Sequence, residues 1–267
     1  MSNWKNWGTV LITVGIFIVL KYFTLVLLMV LNEGLLSSGI ATLSNPELSG
    51  ITTLISSIFT LIVLFFWRPL KEVTDKWKSL SFWFVIACLV LGFLGLGINS
   101  FILSTLISDL TSSYESSLPI LSSGVLGIFA VVVLVPITEE VVFRRVIIGS
   151  LSQSMHPYIA ILISAILFGV LHGEAVQMLG ATIIGLIFGW IYYQSKSLLP
   201  STLLHIFNNG SFLIGLQTYK KEGPSALVET DWSFTFHNPY GIYLFLATLI
   251  LFVLVAWWVK KKSLLIL

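Results

Sequence analysis

Apolar residues run along this chain in blocks of about 18 to 25, separated by short polar stretches. A block of that length crosses about 30 Å of hydrocarbon when it is helical. The pattern predicts eight spans, at about 8–31, 50–67, 81–106, 120–143, 157–172, 175–194, 198–217 and 239–259. The fifth and seventh are the shortest and most polar. The fold class expected is all-α, a polytopic integral membrane protein of about eight transmembrane helices, with residues 1–267 as one membrane domain.

Composition agrees. Of 267 residues, 57% are hydrophobic and 10% charged, against roughly 25% charged in a typical soluble domain. So few charges cannot coat a soluble particle, which excludes soluble, fibrous and disordered classes. The single cysteine, Cys88, lies inside an apolar block. It cannot form an internal disulfide, and it reads as a small buried or lipid-facing residue. Lys5 precedes a first block too long for a signal-peptide core, and no small-residue cleavage site follows it. That block reads as a retained span.

Charge then orients the spans. With eight of them, Lys5, Arg68, Lys71, Lys76, Lys78, Arg144, Arg145, Lys196, Lys260, Lys261 and Lys262 fall on one side, eleven in all. The other side has two, Lys220 and Lys221, beside Glu222, Glu229 and Asp231. The side rich in Lys and Arg is the cytoplasmic one. The expected location is therefore a cell membrane, multi-pass, with both termini in the cytoplasm. Lys21 lies within the first span and reads as a snorkelling side chain. Trp4, Trp7, Trp67, Trp83, Trp257 and Trp258 fall near span ends, as interfacial anchors do. Gly92, Gly95, Gly97, Gly180, Gly185 and Gly189 read as sites of close helix packing. The longest polar loop, about 218–238, carries Trp232 and Phe234.

Ionisable groups within spans cost a few kcal/mol each, so their default reading is functional. Here they cluster in three places. Glu139, Glu140 and Arg144 follow an apolar run; Phe168 and His172 close the fifth span; His205 and Asn209 lie in the seventh. Glu140 and Arg144 are four apart, acid first, and can pair on one helix face. Glu139 points about 100° away from Glu140 and lacks that partner. A carboxylate held in a low-dielectric cavity suits general-base work. Pro136 offers a place for this helix to break or kink. His205 and Asn209 share one face and can both donate hydrogen bonds, which suits stabilisation of a developing oxyanion. Phe168 shares a face with His172, so the two rings can pack. His156 and His237 sit beside prolines at expected interfaces and read as non-catalytic. Taken singly, each histidine, asparagine or ion pair reads equally well as structural glue. Together, within 71 residues of an otherwise apolar chain, they read as a site.

Glu-Glu-x-x-x-Arg at 139–144, Phe-x-x-x-His at 168–172 and His-x-x-x-Asn at 205–209 resemble, in order and spacing, the three motifs of the CAAX protease and bacteriocin-processing family. Members include type II CAAX prenyl endopeptidases and bacterial proteins linked to bacteriocin processing or self-immunity. The resemblance covers about 120–215, the expected catalytic core. It implies an intramembrane endopeptidase acting on a membrane-associated or lipidated protein or peptide. Glu139 and His172 would activate water, His205 and Asn209 would form the oxyanion hole, and Glu140, Arg144 and Phe168 would support the site. The expected partners are the bilayer and a membrane protein or peptide substrate, with no nucleic acid.

Two readings of the metal question stay open. Glu139, His172 and His205 have the donor atoms for zinc. Yet the soluble zinc signature His-Glu-x-x-His is absent, and the two histidines are 33 residues apart. A metal-free site with no cofactor is favoured, with zinc as the alternative. A second function class is a catalytically silent membrane partner with an immunity or regulatory role; it predicts a lost motif residue, and none is lost. A transporter would spread polar residues through the bilayer. One geometric difficulty follows from straight spans: His172 would lie some 22 Å in from the face nearest Glu139. A break at Pro136, or a fifth helix starting deeper, would remove it.

Overall fold

The computed structural model describes residues 3–39, 42–67, 80–106, 111–223 and 241–263. Arg68, Lys71, Lys76, Lys78, Glu229, Asp231, Trp232, Phe234 and His237 lie outside the described residues.

Every predicted span is a helix. In chain order they are α1 (Asn3–Ser37), α2 (Asn45–Phe66), α3 (Phe82–Leu106), a short α4 (Thr111–Ser117) and α5 (Gly124–Leu151). Then follow α6 (Pro157–Val170), α7 (Ala175–Ser195), α8 (Leu198–Glu222) and α9 (Gly241–Ser263). Among the described residues there is no strand. Six helices are long and apolar enough to cross a membrane: α1, α2, α3, α5, α7 and α9. The fifth and seventh expected spans are the other two. α6 has 14 residues, about 21 Å of helix, and α8 carries the polar residues of the last motif. The protein is a polytopic all-α membrane protein.

The helix ends have local causes. The Glu47 carboxylate reaches back to accept hydrogen bonds from the Ser44 amide, at 2.9 Å, and the Ser44 hydroxyl, at 2.8 Å. This occupies donors that the first turn of α2 leaves open. Pro157 begins α6, where its missing N–H costs nothing. Glu174 caps α7, accepting from the amides of Val176 at 3.1 Å and Gln177 at 2.9 Å. Lys196, at φ 51°, ends α7 in a left-handed turn.

The chain folds as two compact units. The first comprises residues 1–74 and 117–154 and is built from α1, α2 and α5. α2 and α5 approach through glycine: a Cβ added at Gly50 would lie 2.8 Å from the α-carbon of Gly127. Only 6% of the apolar window of α1 is buried, so this helix presents most of its surface to lipid.

The second unit comprises residues 75–116 and 155–267 and is built from α3, α4 and α6 to α9. α6 packs on α7, where a Cβ on Gly185 would meet Ala165 at 3.1 Å. Gly92, Gly95 and Gly180 also face neighbouring side chains, whereas Gly97 faces open space. The core of this unit gathers Phe84, Cys88, Leu91, Phe188, Ile191 and Leu204. Cys88 is fully buried there as a free thiol.

The expected catalytic stretch, 120–215, gives α5 to the first unit and α6, α7 and most of α8 to the second.

Candidate active site

α5 does not break at Pro136. Leu134, Val135, Glu139 and Glu140 all keep right-handed helical dihedrals. The hydrogen-bond ladder instead widens from i→i+4 to i→i+5 over Ala130–Leu134, and again over Glu140–Ile148. The first wide turn lies where the proline ring would otherwise press on the carbonyl four residues earlier. Wide turns of this kind recur at functional sites.

The two adjacent glutamates diverge as their spacing requires. Glu140 is fully buried, as is Arg144, and a guanidinium nitrogen of Arg144 lies 3.1 Å from a Glu140 carboxylate oxygen. Phe143 and Val142 are buried beside them, and Phe17 of α1 meets the Phe143 ring edge-on at 6.3 Å. Glu139 is half-buried and lines a cavity of about 50 Å³ with Phe17, Lys21, Ser56, Ser57, Thr60 and Thr138. At about 10–15 Å³ per water centre, that is room for about three waters.

The chemistry of the cavity walls is one-sided. Thr53 donates its hydroxyl proton to the Ser49 carbonyl at 2.9 Å, and Ser56 donates to Thr53 at 3.3 Å. Thr60 donates to Ser56 and Thr138 to Leu134, both at 2.8 Å. Each of these hydroxyl protons is directed to a carbonyl of its own helix, which leaves the oxygens able to accept. Lys21 of α1, an exposed side chain, also lines this cavity.

In the second unit, Phe168 ends α6 and His172 lies in the turn beyond it, two residues past the last helical one. The expected ring contact holds: Phe168 and His172 are 4.7 Å apart and nearly perpendicular, at 72°. His172 Nδ1 lies 2.8 Å from the Phe168 carbonyl. A carbonyl only accepts, so this bond places the proton on Nδ1 and leaves Nε2 with its lone pair. Gly173, at φ +78°, supplies the left-handed turn that carries the chain on to α7.

His205 is 3% exposed. Its ring lies edge-on to Phe168 at 5.7 Å and is tilted against Phe188 at 5.6 Å. Phe168 therefore holds both imidazoles. Asn208 donates from its amide to Asn209 Oδ1 at 3.3 Å. That bond points the Asn209 NH₂ group away from Asn208. The structure thus gathers Glu139, Glu140 and Arg144 in one unit, and Phe168, His172, His205 and Asn209 in the other.

Within neither unit, among the described residues, do three His, Cys, Asp or Glu side chains gather as a metal-ligand set. Neither unit by itself fits a three-ligand zinc site.

Comparison with known proteins gives the class, a membrane protease. Residues 121–211 match the family model described as Type II CAAX prenyl endopeptidase Rce1-like. The chain belongs to the CAAX protease and bacteriocin-processing family. It is 32% identical over 82 residues to the "Putative membrane peptidase YdiL" of Bacillus subtilis (strain 168), a match covering 31% of this chain and 33% of that protein. It is 33% identical over 126 residues to the UPF0177 protein YxdF of Lactococcus lactis subsp. lactis (strain IL1403), covering 45% of this chain and 67% of that protein. The chain thus matches a third of the first relative's length and two thirds of the second's. No solved structure matches it.

Proposed function

We propose that this protein is an intramembrane endopeptidase that hydrolyses a peptide bond of a membrane-associated or lipidated protein or peptide. Glu139 is the general base that takes a proton from water. His172 orients that water through its unprotonated Nε2. His205 and Asn209 donate hydrogen bonds to the oxyanion that forms as the carbonyl is attacked.

The observation that carries this reading is the unequal treatment of two adjacent glutamates. Glu140 is committed to Arg144 in a dry setting. Glu139 faces a hydroxyl-lined space of water size. A structural ion pair accounts for the first carboxylate, and a place beside water suits the second to proton transfer. The favoured site is metal-free. Zinc on Glu139, His172 and His205 is the alternative, and it would supply Lewis-acid polarisation of the carbonyl.

The test is turnover in proteoliposomes, with a membrane peptide fraction as substrate. Glu139→Gln keeps the shape of the side chain and removes its charge. Cleavage should fall by about 10² to 10⁴ while insertion and yield stay at wild-type levels. Undiminished cleavage by that variant removes Glu139 from the general-base role.

A further inference from the structure

In the second unit, α3 and α9 flank an open groove of about 580 Å³. Ordinary small-molecule sites span about 300–1,000 Å³. Trp83, Ala87 and Val90 form one wall, from the first turns of α3. Leu254, Val255 and Trp258 form the other, from the last turns of α9. Ala87 and Trp258 rest on the buried cluster of Phe84, Cys88 and Val259, which makes the floor.

The groove is framed by fixed contacts. Towards the other end of the helix pair, Phe101 of α3 stacks on Phe245 of α9 at 4.0 Å and 19°. At the groove end, the Ser263 hydroxyl donates to the Gln194 side chain of α7 at 2.8 Å. The walls are apolar, and the last turn of α9, beyond them in the chain, carries Lys260, Lys261 and Lys262, all exposed. The Lys262 ammonium lies 5.8 Å from the centre of the Trp258 ring, and Lys261 lies 5.2 Å from that of Trp257. A groove-lining residue therefore carries a cation at its outer edge.

We propose that this groove is a specific site for one anionic phospholipid, with an acyl chain between Trp83 and Trp258 and its headgroup phosphate on Lys260–Lys262. Charge complementarity selects the occupant. A zwitterionic lipid gives three ammonium groups little net counter-charge, whereas an anionic headgroup gains about 1 kcal/mol per lysine near the surface. Length argues against a partner helix. The α3 wall runs from Trp83 to Val90, about 11 Å at 1.5 Å per residue. That is about a third of the hydrocarbon thickness, too short for a spanning helix and within the half that one leaflet supplies.

The experiment uses the full chain purified in dodecyl maltoside, titrated with phosphatidylglycerol or phosphatidylcholine and read by native mass spectrometry. One phosphatidylglycerol should be retained, at least tenfold more tightly than phosphatidylcholine. Ala87→Trp fills the groove and should abolish retention. Lys260→Gln, Lys261→Gln and Lys262→Gln combined should cost on the order of a hundredfold in affinity and erase the preference. The lysine substitutions alter exposed side chains, so they decide the matter even if Ala87→Trp fails to fold. Equal retention of both lipids overturns the proposal, as does undiminished retention by the lysine variant. So does displacement of the lipid by millimolar inorganic phosphate, or a co-purifying peptide in its place.

Discussion

Glu139 and Glu140 share a backbone and a side-chain type, and their environments differ. The Glu140–Arg144 pair is fully buried at 3.1 Å. Removing one partner of such a pair leaves an uncompensated charge, which costs about 3–5 kcal/mol. Arg144→Leu should therefore lower the thermal stability of the detergent-solubilised protein sharply. Glu140→Leu with Arg144→Leu should cost much less than the two single changes added together, and additive losses would mean the pair is not coupled. This much was legible in the sequence, because a four-residue spacing survives in a widened helix as well as in a regular one. The role of Phe168 was only half legible. Its contact with His172 follows from spacing, but its edge-on contact with His205 joins residues on different helices, and no local pattern encodes that. At this same scale the oxyanion and zinc readings separate. Under the oxyanion reading, Asn209→Ala should lower turnover about 10² to 10³-fold with substrate affinity near wild type. Metal content, measured on the same purified protein, should not change. Stoichiometric zinc that vanishes in His205→Ala, with activity lost to chelators and restored by zinc, would favour the alternative.

At the scale of elements, the hydrophobic blocks located the helices but misplaced several ends, α5 running on to Leu151 rather than stopping near 143, and missed the geometry inside α5. A helix that is apolar nearly all round has no polar face to mark its phase. A change from i→i+4 to i→i+5 therefore leaves no trace in hydropathy. Of the possibilities that Pro136 opened, a break is absent: widening over Ala130–Leu134 accommodates the ring without unwinding the helix. The hydroxyl stripe of α2 was equally silent, since Ser and Thr are ordinary in membrane helices. Lys21 joins these elements by lining the Glu139 cavity from α1. Lys21→Met should remove the ammonium from that cavity and lower turnover at least tenfold, and Lys21→Arg should restore most of it. Unchanged turnover in Lys21→Met would return Lys21 to a snorkelling role. Packing offers a separate check. Gly50→Leu cannot fit where a Cβ already meets Gly127 at 2.8 Å, so α2 and α5 should part and stability in detergent should fall.

For the whole molecule, the membrane class followed from composition alone, while the division into two compact units did not. Packing between segments far apart in sequence decides that division, and span-by-span hydropathy carries none of it. Orientation rests on charge: eleven Lys and Arg on one side against two on the other. We therefore propose that both termini are cytoplasmic. With Cys88 replaced, single cysteines at residues 115 and 226 should react with impermeant maleimide only from outside the cell. Cysteines at 74 and 262 should react only from inside. Labelling of 74 from outside would mean that the spans are miscounted.

The proposed activity depends most on Glu139 driving hydrolysis of a peptide bond. The most direct measurement compares new protein N-termini, by mass spectrometry, in membranes of cells expressing wild type, Glu139→Gln or no protein, at matched expression. If Glu139 is the base, a set of N-termini from membrane-associated proteins or peptides appears with wild type and is absent from the other two. An identical set with wild type and Glu139→Gln would contradict that role.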